Sequence, residues 1–195
     1  EAWIMYVWKE HEFLVAEITP SMRLMAEAEF RSHMKNRIVL NEKTVYARKS
    51  SRLAGIIGEL VFAEIYPQAK KSKNLGYDFL YNGLRVDVKT KCRHYPPRIS
   101  DQASVFSYQN GKHIDLLYFM STTPEFELMW LCGWITISEF MHHPELEVWK
   151  GGQVDTNNGM KFIADTYSLK YEYLNPIRIE KIEREGVIER SRNEL

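Results

Sequence analysis

Short apolar clusters and polar patches open the chain and predict strands followed by a helix. Residues 5–18 contain two apolar clusters around a charged patch, a pattern typical of a hairpin or two short strands. Thr19 and Pro20 then match a helix N-cap and first helical position, and the amphipathic sequence after them predicts a helix to about Lys35. Residues 36–49 are basic and lack a clear period, so we expect irregular structure there.

A second, more apolar helix is predicted over residues 52–66. Ser50 and Ser51 are suited to cap its N-terminus, and Pro67 ends it. Apolar residues surround this helix almost completely, which indicates that most of it is buried. Glu59 lies in its middle, and a buried carboxylate is costly unless it is paired or bound to a metal ion. The alternative is that Glu59 faces solvent on the narrow polar edge of the helix.

The next segment has the pattern of a β-hairpin. Residues 77–81 and 84–91 are rich in aromatic and branched side chains, and the Asn-Gly pair between them favours the positive φ angles of a type I′ turn. A two-residue loop fixes the register of the strands. This register places Asp78 directly opposite Asp87.

Side-chain alternation gives the predicted hairpin one apolar and one polar face. The polar face carries Asp78, Arg85, Asp87, Lys89 and Lys91. Opposed carboxylates on a strand pair have Cβ atoms about 4.5 to 5.5 Å apart and destabilise the sheet unless something compensates them. A divalent cation is the simplest compensation, with Lys89 beside it. The alternative is an ordinary solvated polar face.

The second half of the chain alternates between strand patterns and polar turns. Residues 114–120 and 128–137 are near-continuous apolar runs, as in strands buried on both faces. Further elements are predicted as a short helix over 138–141, a polar flap over 151–159, a strand pair over 162–174 and a charged tail over 180–195.

Composition and charge describe a globular chain with one basic segment. The 195 residues are 45% hydrophobic and 27% charged, as in a single globular domain. The formal net charge is zero, yet residues 31–98 hold 15 basic and 5 acidic side chains. Such a local field attracts phosphate, unless folding disperses the charges over the surface. The loop over 92–98 joins Arg93 and Arg98 to Tyr95, which suits phosphate contact and base stacking but also an ordinary surface loop.

Cysteine use and the apolar opening bear on the setting of the protein. Cys92 and Cys132 are the only cysteines and form no CxxC pair, so we expect neither a disulfide framework nor a zinc-thiolate site. A reducing, cytoplasmic setting fits this pattern. Residues 2–8 are apolar but too few to cross a bilayer, so no membrane partner is expected.

A helix with a central Glu, then a strand with Asp, then a strand with Asp-x-Lys, resembles the PD-(D/E)xK nuclease superfamily, whose common core is the restriction-endonuclease-like fold. The matching residues are Glu59, Asp78, Asp87, Val88 and Lys89. The resemblance covers roughly residues 50–137 and continues loosely through 141. Tyr77 stands where the namesake Pro would be, and that Pro is often absent in the superfamily.

The resemblance implies a mixed α/β (α+β) fold with a central mixed β-sheet flanked by helices, in the order α-β-β-β-(β)-α-β. We expect one nuclease domain over residues 1–195. Its parts would be an N-terminal strand and helix extension over 1–49, the core over 50–141, and a C-terminal flap, strands and charged tail over 142–195.

The resemblance also implies a Mg²⁺-dependent deoxyribonuclease in which Mn²⁺ can substitute. Asp78, Asp87 and the carbonyl of Val88 would be metal ligands, and Glu59 would bind through a water or hold a second ion. Lys89 would either orient or deprotonate the attacking water, or stay charged and stabilise the pentavalent oxygens.

Four basic residues would contact the nucleic acid around this site. Arg85 and Lys91 would meet the flanking phosphates, and Arg93 or Arg98 would extend the track. Endonuclease cleavage of DNA is favoured over exonuclease action, although the metal site does not exclude RNA. Small nucleases of this type usually dimerise, so a homodimer is also implied by analogy.

Two other classes of function compete with the nuclease. The first is a nucleic-acid-binding module of the same fold that does not cleave, although all four catalytic-type residues are present. The second is a structural or partner-binding protein in which Asp78 and Asp87 are only solvated.

Overall fold

A large mixed β-sheet with two long helices on one face forms the centre of the protein in the computed structural model. The structure describes residues 5–35, 42–73, 76–106, 113–156, 159 and 161–179. The expectation of a mixed α/β protein with a central sheet flanked by helices is confirmed. The predicted tail over 180–195 lies outside the described residues.

The helices and strands over these ranges are as follows. The helices are α1 (Pro20–Lys35), α2 (Glu42–Ile65) and α3 (Ile137–Met141). The strands are β1 (Val7–Glu10), β2 (Phe13–Glu17), β3 (Lys70–Lys71), β4 (Phe79–Tyr81), β5 (Leu84–Cys92), β6 (Gln102–Phe106), β7 (Leu116–Thr122), β8 (Leu128–Thr136), β9 (Glu147–Trp149) and β10 (Thr166–Lys170).

Seven of the strands form the central sheet in the order β1-β2-β8-β7-β5-β4-β3. The β5–β7 pair is parallel, and the other neighbours are antiparallel. The remaining three strands form a separate antiparallel sheet in the order β6-β10-β9. From α2 onward, the order of elements agrees with the predicted order if β3 and β6 are omitted. The last strands, β9 and β10, however, belong to the second sheet.

The central sheet has a separate apolar core on each face. Helices α1 and α2 cover one face, where Ile57, Val61 and Phe62 of α2 pack with Val86 and Val88 of β5. The second sheet and α3 cover the other face with a core that includes Leu117, Phe119, Trp130, Phe140 and Leu169. Strand β5 therefore runs between two layers and presents alternate side chains to each.

The N-terminal residues belong to the central sheet. Strands β1 and β2 form the predicted pair, and β2 continues the sheet by pairing with β8. Helix α1 has the predicted bounds, and the Thr19 hydroxyl accepts a hydrogen bond from the Met22 N–H at 3.3 Å, as expected of an N-cap.

Helix α2 begins earlier than the sequence predicts. Ser50 and Ser51 lie inside the helix instead of capping it, and the expectation of irregular structure up to residue 49 is wrong from Glu42 onward. Residues 42–49 contain neither Gly nor Pro, and an interior Ser costs only about 0.5 kcal/mol relative to Ala. Although α2 has 24 residues, no helix in the described ranges is both long and apolar enough to cross a membrane.

Three short strands are missing from the sequence-based expectation. Strands β3, β6 and β9 have two, five and three residues, too few to give a distinct period. The predicted strand pair over 162–174 is wrong. That segment holds one strand, β10, which pairs with the unpredicted β6 and β9, followed by a 3₁₀ turn at Tyr171–Tyr173.

Gly58 sets the distance between α2 and β5. A Cβ atom at Gly58 would overlap the hydroxyl of Thr90 on β5, whereas a Cβ at Gly55, one turn earlier, would meet nothing within 4 Å. Thr90 is β-branched and stiff at χ1, so its side chain does not move aside easily.

We expect Gly58→Ala to destabilise the protein by about 1 to 3 kcal/mol through overpacking. The matched variant Gly55→Ala should instead stabilise it by about 0.5 to 1 kcal/mol, because alanine is the better helix former and has room there. Urea denaturation of both variants measures the difference. Equal effects at the two positions would contradict the close approach of α2 to β5.

Candidate active site

The hairpin of β4 and β5 has the predicted turn and register. Asn82 and Gly83 have φ angles of 48° and 78°, both positive as in a type I′ turn. The observed pairs are Phe79 with Val86, Leu80 with Arg85, and Tyr81 with Leu84, as the two-residue loop requires.

The ladder stops at Phe79, so the predicted strand start at Tyr77 is wrong and Asp78 does not pair with Asp87 within it. The Asp78 N–H donates to the Val86 carbonyl at 2.9 Å. The Val88 N–H donates to Asp78 Oδ2 at 2.7 Å. The Asp78 carboxylate thus accepts the hydrogen bond from Val88 that a backbone carbonyl accepts in a regular ladder. This hydrogen bond holds Asp78 beside β5.

Asp87 and Lys89 lie on the same face of β5 and form a close ion pair. Asp87 is only 5% exposed, and its Oδ2 lies 2.6 Å from Lys89 Nζ. Apart from this ion pair, the oxygen accepts no hydrogen bond from any residue that the structure covers. Asp87 Oδ2 is therefore a buried anionic oxygen with unused acceptor capacity.

Asp78 is a buried carboxylate with two other carboxylates nearby. Burial, and to a smaller extent the charges of Asp87 and Glu59, raise its pKa to about 7. The hydrogen bond from Val88 and the charge of Lys89 act against this shift. Asp87 lies on one face of the sheet, and Glu59 lies on the helix that covers the other face. The negative charges of both therefore act on Asp78.

Glu59 is paired with a lysine that sequence analysis did not select. Its Oε2 lies 3.0 Å from Nζ of Lys71 on β3, and the same ammonium lies 3.9 Å from Glu29 on α1. Burial lowers the pKa of Lys71, but Glu59, Glu29 and Asp78 outweigh it, so the net shift is upward. The run Lys70-Lys71-Ser72-Lys73, which four residues separate from the end of α2, is the signal that could have identified it.

The side chains of Arg85 and Lys91, both predicted to meet phosphate, are engaged within the protein. The Arg85 guanidinium donates to both carboxylate oxygens of Asp115, at 2.8 and 2.7 Å, in a bidentate ion pair. The Lys91 ammonium donates to the Gln102 carbonyl and the Ser104 hydroxyl of β6, both at 2.9 Å. Lys91 therefore joins the central sheet to the second sheet.

Arg93 and Arg98 differ in their access to a ligand. Arg93 donates to the Gln102 carbonyl at 3.0 Å, and its guanidinium lies 5.7 Å from the Tyr171 ring centroid. Arg98 is exposed, with its guanidinium 5.6 Å from the centroid of the Tyr95 ring, the arrangement expected of a phosphate-contacting and stacking loop. That the four basic residues bind nucleic acid stays a prediction, and Arg98 is the one best presented to solvent.

Asp78 and Asp87 fit a hard cation better than Glu59 does. Carboxylate oxygens are the ligands that Mg²⁺ prefers, and Asp87 Oδ2 is buried without a hydrogen bond. However, among the described residues no group of three or more His, Cys, Asp or Glu side chains is assembled to hold a metal ion. Glu59, held by Lys71, is not placed as a third ligand.

Comparison with known proteins adds no family to this description. The chain matches no protein-family model, and no curated protein sequence matches it significantly. The function is therefore argued from the geometry and electrostatics of the site.

We expect Asp78→Asn to stabilise the protein by roughly 2 kcal/mol at mildly alkaline pH in EDTA. The amide can still accept from the Val88 N–H but carries no charge. Because the folded pKa of about 7 lies above the ordinary value of about 3.9, the wild type loses stability as pH rises through that window. Urea denaturation should show the gain in the free energy of unfolding shrinking steadily as the pH falls from about 7 towards about 4.

Asp115→Asn is the matched control for this prediction. The Arg85 guanidinium lowers the pKa of Asp115 to about 2, so this carboxylate stabilises the fold when ionised. Its replacement should therefore destabilise the protein at neutral pH. The same sign for both variants would contradict the charge assignment.

Lys91 should make stability rise with pH. Burial, and to a smaller extent the charge of Arg93, lower its pKa to about 7. The unfolded chain, with an ordinary lysine pKa of about 10.4, thus binds more protons between these values, so the free energy of unfolding increases across that window. Urea denaturation at a series of pH values should show that the free energy of unfolding rises less steeply with pH in Lys91→Met. The control Lys9→Met removes an exposed amine from β1 and should keep the wild-type slope.

Proposed function

We propose that the protein is a metal-dependent nuclease that hydrolyses phosphodiester bonds of DNA, built on a restriction-endonuclease-like core. The observation that carries the proposal is the site around β5. The buried Asp87 has an oxygen without a hydrogen bond, Lys89 lies beside it, and Asp78 is held at the end of the adjoining strand. Endonuclease action is favoured over exonuclease action, and RNA is retained as an alternative substrate.

Asp78 and Asp87 would hold a Mg²⁺ or Mn²⁺ ion, with the Val88 carbonyl as a further ligand by analogy. When bound, such an ion neutralises charge on the phosphoryl oxygens and makes water a better nucleophile. The hydrogen bond from Val88 to Asp78 and the burial of Asp87 keep both carboxylates in place. Glu59, through its ion pair with Lys71, is suited to orient a water or the Lys71 ammonium.

Lys89 is suited to stabilise the developing charge. Its ammonium lies 2.6 Å from Asp87 Oδ2, beside the oxygen that would hold the metal ion, and a cation at this position can stabilise the pentavalent oxygens. The role of orienting or deprotonating the attacking water is the alternative. Only 26% of the side chain is exposed, which places this cation in a setting where water screens it weakly.

A nucleic-acid-binding module that does not cleave is the second candidate. The specific observation that favours it is the neutralisation of Glu59 by Lys71 and of Asp87 by Lys89. Two of the three carboxylates are thus compensated by lysines of the chain itself. This candidate predicts binding that does not depend on a divalent cation.

Cleavage assays separate the two candidates. The protein is incubated with branched, nicked, single-stranded and linear duplex DNA, and with RNA, in Mg²⁺, Mn²⁺ or EDTA. We expect cleavage of DNA in Mg²⁺ or Mn²⁺ but not in EDTA. Lys89→Ala should reduce the rate by about 100-fold or more, because removing one group that stabilises transition-state charge has this effect.

Lys170→Ala, which removes a surface lysine paired with Glu172, is the control and should cut like the wild type. Cleavage by Lys89→Ala at the wild-type rate, or no cleavage of any substrate in any metal, would contradict the nuclease proposal.

Size-exclusion chromatography with and without DNA tests the homodimer that the analogy suggests. The cytoplasmic setting stays a prediction from cysteine use, and both thiols are free.

A further inference from the structure

A basic pocket opens at the edge of the central sheet, next to Asp78. It has a volume of about 420 Å³ and is lined by Lys70, Lys71, Ser72, Lys73, Tyr77 and Leu80. This volume lies within the range of pockets that hold small ligands, about 300 to 1,000 Å³. The pocket lies on β3, the last strand of the sheet among the described residues, where one side of that strand has no described neighbour.

Two lysines of the pocket carry positive charge that no described residue neutralises. Lys71 is paired with Glu59, but in the part of the chain that the structure describes neither Lys70 nor Lys73 forms an ion pair. Both are exposed and line the same cavity. Like charges collected in one cavity repel each other, and an anionic ligand would offset that repulsion.

The remaining wall of the pocket is apolar and aromatic. Tyr77 is half-buried and packs at the margin of the core between the two sheets, and Leu80 is 40% exposed. An aromatic ring beside lysines is the combination that binds single-stranded nucleic acid, because the ring stacks on a base while the ammonium groups contact phosphate. The chemistry of the wall therefore fits a nucleotide better than a bare anion.

The pocket adjoins the candidate active site through covalent and hydrogen bonds. Tyr77 directly precedes Asp78 in the chain, and the Ser72 N–H donates to the Asp78 carbonyl at 2.7 Å. Lys71 both lines the pocket and pairs with Glu59. A ligand in the pocket would therefore lie next to the carboxylates.

We propose that this pocket binds one unpaired nucleotide of the substrate, adjacent to the phosphodiester bond at Asp78 and Asp87. The inference rests on the proposed nuclease function and adds a substrate class to it. Bases inside a duplex are stacked and paired with one another, so only a base that has left the helix can stack on the Tyr77 ring in this cavity. The substrate is thus a strand with at least one base out of the helix, as in a single strand, a branch or a frayed end.

Binding measured in EDTA tests the pocket without requiring catalysis. Fluorescence anisotropy compares a short labelled single strand with the duplex of the same sequence over a series of salt concentrations. We expect the wild type to bind the single strand more tightly than the duplex. In Lys70→Ala/Lys73→Ala the slope of log K against log salt should become shallower by about 1.4, or about 0.7 for each lost phosphate contact.

Tyr77 variants test the stacking role. Tyr77→Leu should weaken single-strand binding by about tenfold, the effect of losing one base stack, while Tyr77→Phe keeps the ring and should bind like the wild type. The midpoint of urea denaturation of Tyr77→Leu shows whether a loss of binding comes from misfolding, since Tyr77 also packs against the core. A nucleoside monophosphate should displace the strand better than inorganic phosphate does.

Lys9→Ala is the matched control, because Lys9 is an exposed lysine on β1, at the opposite edge of the same sheet. It should leave the salt slope unchanged. Wild-type binding by the double lysine variant, equal loss of single-strand and duplex binding in Tyr77→Leu, or equal competition by inorganic phosphate would each overturn the assignment.

The two proposals fail separately. Single-strand binding that depends on Lys70, Lys73 and Tyr77 in the absence of any cleavage would support the pocket and reject the nuclease. Cleavage that depends on Lys89 but is unchanged in the pocket variants would support the nuclease and reject the pocket.

Discussion

The alternation of side chains along β5 is the constraint on which both the core and the candidate site depend. Val86 and Val88 pack beneath α2, while Asp87 and Lys89 lie on the face that the second sheet covers. A shift of one residue would place the charges under the helix and move the valines to the face that the second sheet covers. The type I′ turn at Asn82 prevents that shift, so one short loop fixes the core contacts and the placement of the charged residues together.

Charge balance around the site comes from lysines on two different elements. Lys89 neutralises Asp87 from the same strand, and Lys71 neutralises Glu59 from the edge strand β3. Asp78 is left with a hydrogen bond from Val88 and two carboxylates nearby, and burial together with these charges raises its pKa. The two proposals accordingly place a cation at Asp78 and an anionic ligand at the neighbouring strand β3.

The second sheet gives the polar face of β5 its unequal burial. Lys91 is enclosed because β6 supplies the Gln102 carbonyl and the Ser104 hydroxyl, and Ser104 in turn shares a hydrogen bond of 2.9 Å with Ser168 of β10. Asp115 directly precedes β7, the neighbour of β5 in the central sheet, and holds the Arg85 guanidinium. The charged residues of β5 therefore have different roles. Lys91 joins the two sheets and Arg85 joins two neighbouring strands, whereas Asp87 and Lys89 pair with each other at the candidate site.

The sequence by itself determined what depends on neighbours along the chain. The Asn-Gly turn, the Thr19 N-cap and the long apolar runs of β7 and β8 are local signals, and the corresponding elements formed as expected. Tertiary structure decided the rest, because strands as short as β3 and β6 exist only through the partners they pair with. The ion pairs of Glu59 with Lys71 and of Arg85 with Asp115 join residues 12 and 30 positions apart, and no local pattern specifies such contacts. The alternation of side chains along the sequence identified the charged residues on β5. Only the packing of α2, β3 and the second sheet decided which partners each of them has.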